Sequence, residues 1–246
     1  MTLTTIDGLP IKKPFSWSFS KLNGFRTCPK KLYHSQIKKD FPEATNENMQ
    51  WGNRVHDAMA KRIAHDTPLP AGMEQWEKWI PWVMAPNGRS DGTMIWSELK
   101  MAITEQIQRC AYFDRAVPVW FRTVADVLKV KLNVARMVDW KTGKPPKDAK
   151  AEQEAKDQLA MGAFTVFVWF PEVQVVQTQF VYLQHDMIDA EMYTRADMPK
   201  IMMRSLPDVM ALQKATDSGD FPPKPSGLCV KHCNVISCVY HGRGNR

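Results

Sequence analysis

The chain of 246 residues contains no uninterrupted apolar run of about 18 residues, the length that a membrane-spanning helix needs. Its opening stretch, MTLTTIDGLPIKKPF, lacks the apolar core of a secretion signal. Cysteine is sparse, with 5 in the whole chain, and three of them crowd into the last stretch. These absences argue against a membrane protein and against a secreted domain stapled by disulfides. The expected setting is the cytoplasm, where thiols stay reduced and a cysteine cluster serves as a set of ligands. Negative charge is also in deficit. The 26 Asp and Glu stand against 33 Lys and Arg, for a formal charge of +7 and a pI near 9.1. That excess suits an anionic partner, nucleic acid first. The length suffices for a substantial buried core in one large or two small domains.

The densest chemical signal lies in Val119–Lys144, VWFRTVADVLKVKLNVARMVDWKTGK. Two apolar, β-branched runs flank a short polar turn and read as a hairpin. Alternation places Met137, Asp139 and Lys141 on one face, with Val138 and Trp140 on the other. With Leu132-Asn133 as the turn, Asp126 stands directly opposite Asp139. Opposed residues hold their Cβ atoms roughly 4.5–5.5 Å apart. Two carboxylates that close repel, and a divalent cation between them offsets the repulsion. The plainer alternative is a solvated hairpin whose charges face water.

The arrangement Asp126, then Asp139-Trp140-Lys141, resembles the PD-(D/E)XK nuclease superfamily, and DWKTGK looks like its RecB-type branch. The resemblance implies an α/β fold: a central mixed β-sheet flanked by helices, with the active hairpin in its middle. It implies that Asp126 and Asp139 bind Mg²⁺ or Mn²⁺ together with the Trp140 carbonyl. Lys141 then orients a water or stabilises charge on the phosphate. The string Gly52-Asn53-Arg54-Val55-His56 is similar to the G-x-x-x-H helix that places a histidine beside the metal, making His56 a further ligand. Gln158-Leu159 looks like the start of the Q-L-x-x-Y motif, whose glutamine works near the site; the tyrosine position here holds Gly162. Glu98 corresponds to an acidic position of the family's first strand or is simply an exposed strand glutamate. Lys30, Lys31 and Arg54 are the basic residues expected to track DNA.

Elsewhere the pattern predicts a helix capped by Ser18 and either kinked or split in two at Pro29, and a second helix over MQWGNRVHDAMAKRIAH. Trp76, Trp79 and Trp82 form a stripe at helical spacing, followed by a turn at 87–92 and a first strand over WSELKMAITEQ. An alanine-rich helix starts at Asp148, and VQVVQTQFVYLQ alternates as a strand. Asp189–Asp217 reads as a further helix, broken near Pro199 and Pro207. A single domain over 1–246 is expected, with helices over 16–66, a catalytic core over 93–185 and a cysteine tail over 219–246 packing on the N-terminal helix.

The tail carries Cys229, Cys233 and Cys238 at the spacing Cys-x3-Cys-x4-Cys. RecB-type nucleases with an iron–sulfur cluster take three cysteines from such a tail and one from an N-terminal Cys-Pro helix, which implies Cys28 as the fourth ligand. The usual spacing there is Cys-x2-Cys-x5-Cys, and His232 stands where the middle cysteine belongs. A [4Fe–4S] cluster, a Zn²⁺ site using His232 or His241, and no metal at all remain open. Cys110 reads as a small buried apolar residue. The family likeness implies a single-strand-preferring exonuclease acting on DNA ends in phage recombination or processing, alongside phage or host recombination proteins. The contrasting reading is a non-catalytic DNA-binding or assembly protein that keeps the fold.

Overall fold

A computed structural model describes residues 15–44, 46–84 and 92–243. The expected N-terminal arm and most of the turn at 87–92 lie outside the described residues. Strand β1 (Trp17–Ser18) runs directly into helix α1 (Phe19–Thr27), whose first turn is capped by the Ser18 hydroxyl accepting from the Lys21 amide. Proline splits the segment where expected, for α2 (Pro29–Leu32) begins one residue later, with Cys28 between the two helices. Helix α3 (Glu47–His65) and the short α4 (Trp79–Met84) follow.

The sheet contains β2 (Met94–Ile103), β3 (Arg109–Cys110), β4 (Phe121–Lys131), β5 (Val134–Lys141), β6 (Val175–Tyr182) and β7 (Met187–Thr194). Its order is β3-β2-β4-β5-β6-β7, and β1 adds to β4 in parallel at Phe121 and Arg122. The predicted hairpin β4–β5 occupies the middle. Helix α5 (Ala149–Trp169) starts at an Asp148 cap and crosses over to make β6 parallel to β5. A last long helix, α6 (Met198–Ser218), precedes a short tail helix α7 (Leu228–Lys231).

Two expectations are corrected. Met187–Thr194 forms an edge strand antiparallel to β6, where a helix was predicted from Asp189. Helix α6 begins only at Met198 and runs through Pro207 without breaking. Pro199 sits in its first turn, where no amide partner is needed. The tryptophan stripe is also divided, with Trp76 in a separate 3-10 turn and Trp79 and Trp82 in α4.

Helices cover both faces of the sheet. One face buries Met101, Leu128, Met137 and Phe180 under α5, and the core continues through Phe121 and Trp17 to α1 and α6. The other face buries Val127, Val138, Trp140 and Val181 under Val55 and Met59 of α3, with Trp76 and Ile80 beside them. This mixed sheet between helices is the architecture the sequence implied. No helix among the described residues is long and apolar enough to cross a membrane.

Candidate metal and catalytic site

The site forms where regular alternation fails in two neighbouring strands at once. Along β2, Trp96 buries on the α5 side, and so do Leu99 and Met101, so the alternation slips by one residue between them. The slip falls at Glu98, which has φ +52. Along β4, Ala125 and Leu128 likewise share the α5 side, while Val127 lies under α3. No residue is inserted, because Ser97 pairs with Val127 and Leu99 with Ala125, leaving Glu98 and Asp126 facing each other between them. A left-handed backbone at a residue other than glycine costs about 1–2 kcal/mol. Here it accompanies the turning of two carboxylates toward α3.

His56 waits on that helix. Its Nδ1 lies 3.2 Å from Asp126 Oδ2, and the same oxygen accepts the Trp140 amide at 2.7 Å. One ligand atom from each of His56, Glu98 and Asp126 lies within 4.8 Å of the others, the one such group of His, Cys, Asp or Glu among the described residues. A cleft of about 730 Å³ opens beside it, lined by Gly52, Asn53, His56, Glu98 and Thr142 among others.

Asp139 joins the site from the other side. The hairpin register is as expected, since Val127 pairs with Val138 and Leu128 with Met137, and its continuation sets Asp126 against Asp139. The two side chains nevertheless engage different helices. Asp139 Oδ2 accepts from Gln158 Nε2 of α5 at 3.0 Å, and its Oδ1 pairs with Lys141 Nζ at 2.8 Å. Lys141 Nζ also lies 4.3 Å from the Phe180 ring centroid. Asp126 therefore groups with His56 and Glu98, and Asp139 stands outside that group of three. Alternation alone, without the slip at Glu98, hides this division.

The electrostatics fit a cation. Burial, then the Asp126 charge, pushes the Glu98 carboxyl above the ordinary range. Burial likewise raises the Asp139 carboxyl against the opposing pull of Lys141. The hydrogen bond to Asp126 raises His56. Carboxylates reluctant to ionise beside one another, with an imidazole in reach, form a donor set suited to a hard divalent ion.

Gly162 has a local explanation. A Cβ there would collide with the Met137 side chain, so Met137 fills the space where the motif's tyrosine would stand. The basic residues disperse. Arg54 lies over the Trp51 ring at 5.4 Å and lines a separate cleft. Lys31 pairs with Glu43 at 2.8 Å, and both Lys30 and Lys31 border the cysteine cavity.

That cavity gathers Cys28, Cys229, Cys233 and Cys238 from the two ends of the chain, with His241 at its wall. Backbone amides point at two of the sulfurs, Lys224 N to Cys28 Sγ and Ser226 N to Cys229 Sγ, each at 3.5 Å. His232 is exposed, and its carbonyl accepts from Lys31. Cys110 is buried in a separate cluster with Ala102 and Val119.

A central mixed sheet with acidic residues and a lysine on its middle strands, facing a helical histidine, defines a nuclease-type core. The sequence profile of the PD-(D/E)XK nuclease superfamily matches residues 16–238, and the chain belongs to that superfamily. Among solved structures, the chain is similar to a "Putative exonuclease" from Eubacterium rectale, with 15% identity, a TM-score of 0.52, and coverage of 95% of this chain and 90% of that one. It is also similar to LHK-Exo in complex with dAMP, with 12% identity and a TM-score of 0.40 over 83% of this chain and 89% of that one. At 15% identity the likeness to the first of these speaks for the fold alone. No curated protein matches the sequence.

Proposed function

We propose that the chain is a Mg²⁺- or Mn²⁺-dependent deoxyribonuclease, a single-strand-preferring exonuclease that hydrolyses phosphodiester bonds at DNA ends. The observation that carries this reading is the convergence of His56, Glu98 and Asp126 beside the Asp139–Lys141–Gln158 chain. His56, Glu98 and Asp126 would hold a divalent ion, and Asp139, whose carboxyl feels the Asp126 and His56 charges, is proposed with the Trp140 carbonyl as a further contributor. When bound, such an ion supplies positive charge to the phosphate oxygens and lowers the pKa of water.

The protein's own groups do the rest. Asp126 is fixed by the Trp140 amide and His56, which sets its lone pairs without a search among rotamers. Gln158 anchors one oxygen of Asp139. Lys141, held against the other oxygen, presents an ammonium that can orient water or offset charge gathering on the phosphate. None of these groups reads a base edge, so the reading includes little sequence preference. On the family resemblance alone, the proposal extends to service in phage DNA recombination or processing, inside a host cell and beside phage or host recombination proteins.

The four cysteines extend the proposal to a [4Fe–4S] cluster. Four thiols lining one small cavity, with His241 at its wall, supply the all-sulfur donor set that an iron–sulfur cluster takes, and a zinc site is the alternative the same residues allow. Amides directed at the sulfurs suit thiolate-bound iron as well. Iron analysis and the visible spectrum of anaerobically purified protein test this, with Cys28→Ser losing iron and colour; a colourless, zinc-loaded protein contradicts it.

The test of the main reading is cleavage of end-labelled single- and double-stranded DNA with Mn²⁺. Progressive loss of label from single strands, abolished by Asp126→Ala and Lys141→Ala, is expected. DNA binding without cleavage under either metal favours the non-catalytic alternative.

A further inference from the structure

On the nuclease reading, we propose that Lys100, Arg122 and Lys21 form a phosphate track that holds the DNA strand on the β1 side of the metal group. Leu99, Met101 and Ile103 bury on the α5 side, so Lys100 and Ala102 face the other way, toward the side of α3. Register then sets the order. Glu98 faces Asp126, Lys100 pairs with Val124, and Ala102 pairs with Arg122. Metal ligands, Lys100 and Arg122 thus follow one another along one face of the sheet. Arg122 is four residues from Asp126, about 13 Å at roughly 3.3 Å per residue. At about 3.4 Å per phosphate along a B-form strand, that distance spans about four phosphates, and fewer when a single strand is stretched.

Two cations meet at the far end of the track. Arg122 Nη1 donates to Ser16 Oγ at 2.9 Å, and Lys21 Nζ donates to the Ser16 carbonyl at 2.8 Å. Neither has a carboxylate partner among the described residues. Two other partly buried arginines do, Arg26 with Asp208 and Asp157, and Arg62 with Glu77, while Arg195 is held by backbone carbonyls instead. Burial and the neighbouring Arg122 push the Lys21 ammonium below its usual range, the direction expected for like charges held together. Lys100 is exposed, and Glu98 is the charge that feels it. A strand of phosphates would offset all three cations. Phe113, 73% exposed, follows Tyr112, whose carbonyl accepts from Arg122, and offers a ring for a base to stack on.

The test is fluorescence anisotropy of labelled oligo-dT with the full chain in EDTA, at several salt concentrations. Lys100→Ala and Lys21→Gln are each expected to reduce the slope of log K against log salt by about 0.7, the value for one single-strand phosphate contact. Lys214→Ala, an exposed change on α6, should leave the slope unchanged. Circular dichroism checks folding. If Lys21→Gln does not fold, the exposed Lys100→Ala decides alone. Unchanged slopes, or no DNA binding by the wild-type chain, overturn the track. Cleavage with Mn²⁺ is scored separately: cleavage with unaltered slopes refutes the track but not the nuclease, and altered slopes without cleavage do the reverse.

Discussion

Replacing Glu98 with glutamine should make the metal-free protein more stable and the metal-bound protein less so. Glu98 and Asp126 bring ligand atoms within 4.8 Å of each other. The residue is exposed but its carboxyl is partly shielded, so the dielectric of water gives a cautious figure of about 0.9 kcal/mol for the repulsion, to which burial adds and from which the pulls of His56 and Lys100 subtract. Glu98→Gln removes that term and keeps the left-handed backbone, so the gain isolates charge from strain. In a chain of this size it corresponds to a rise in Tm of about 2–4 °C at pH 7. Glu98 has a raised pKa in the folded state, so its ionised form costs stability above that pKa. The gain should therefore vanish below the ordinary glutamate value of about 4.3, where both states are protonated. With Mn²⁺ the order reverses. Loss of a charged ligand that weakens binding tenfold removes about 1.4 kcal/mol of linked stabilisation, or roughly 3–6 °C of the metal-induced shift. Differential scanning fluorimetry with and without Mn²⁺ reads both effects. An unchanged Mn²⁺ shift would refute the assignment of Glu98, and an unstabilised metal-free variant would refute the repulsion.

Three further outcomes follow from the same geometry. Gln158→Leu strips one hydrogen bond from Asp139 and should lower the cleavage rate about 10–100-fold, the usual cost of an outer-shell change; initial rates on labelled DNA check it, and a wild-type rate contradicts it. Gly162→Tyr, which restores the motif's aromatic residue, must displace Met137 and should cost at least about 1–3 kcal/mol by overpacking; urea unfolding measures it, with Met137→Ala expected to recover part of the loss. Mn²⁺ affinity should strengthen as pH rises from about 5 to 8. His56, Glu98 and Asp139 all have raised pKa values, so each must shed a proton that the folded protein holds tightly before it can serve a cation. Calorimetric titration in two buffers of different ionisation enthalpy should show proton release, and affinity independent of pH would contradict it.

Much of this was legible in the chain itself. Period-2 alternation and the Leu132-Asn133 turn sufficed for the hairpin and its register, because one slipped residue would move an entire apolar set to the wrong face. The Ser18 cap and the split at Pro29 are local chemistry and came out as expected. The division of the acidic residues did not, because it depends on a left-handed Glu98, and nothing in WSELKMAI marks a glutamate for that conformation. Had the slip been seen, Glu98 would have joined His56 and Asp126 at once. Strand β7 was missed for a related reason. MIDAEMYT is an exposed edge strand with no strongly buried face, so its pattern carries little strand signal and the prolines beyond it suggested a broken helix. The cysteine cavity brings Cys28 to a tail about 200 residues away, and only the resemblance, never local pattern, could suggest that meeting.

The most direct test of the central claim is a crystal soaked in Mn²⁺ and measured at the manganese absorption edge. The account predicts an anomalous peak within coordination distance of Asp126, bounded by His56 and Glu98 and adjacent to Asp139. Manganese bound elsewhere, with those four side chains making no contact to it, would contradict the account.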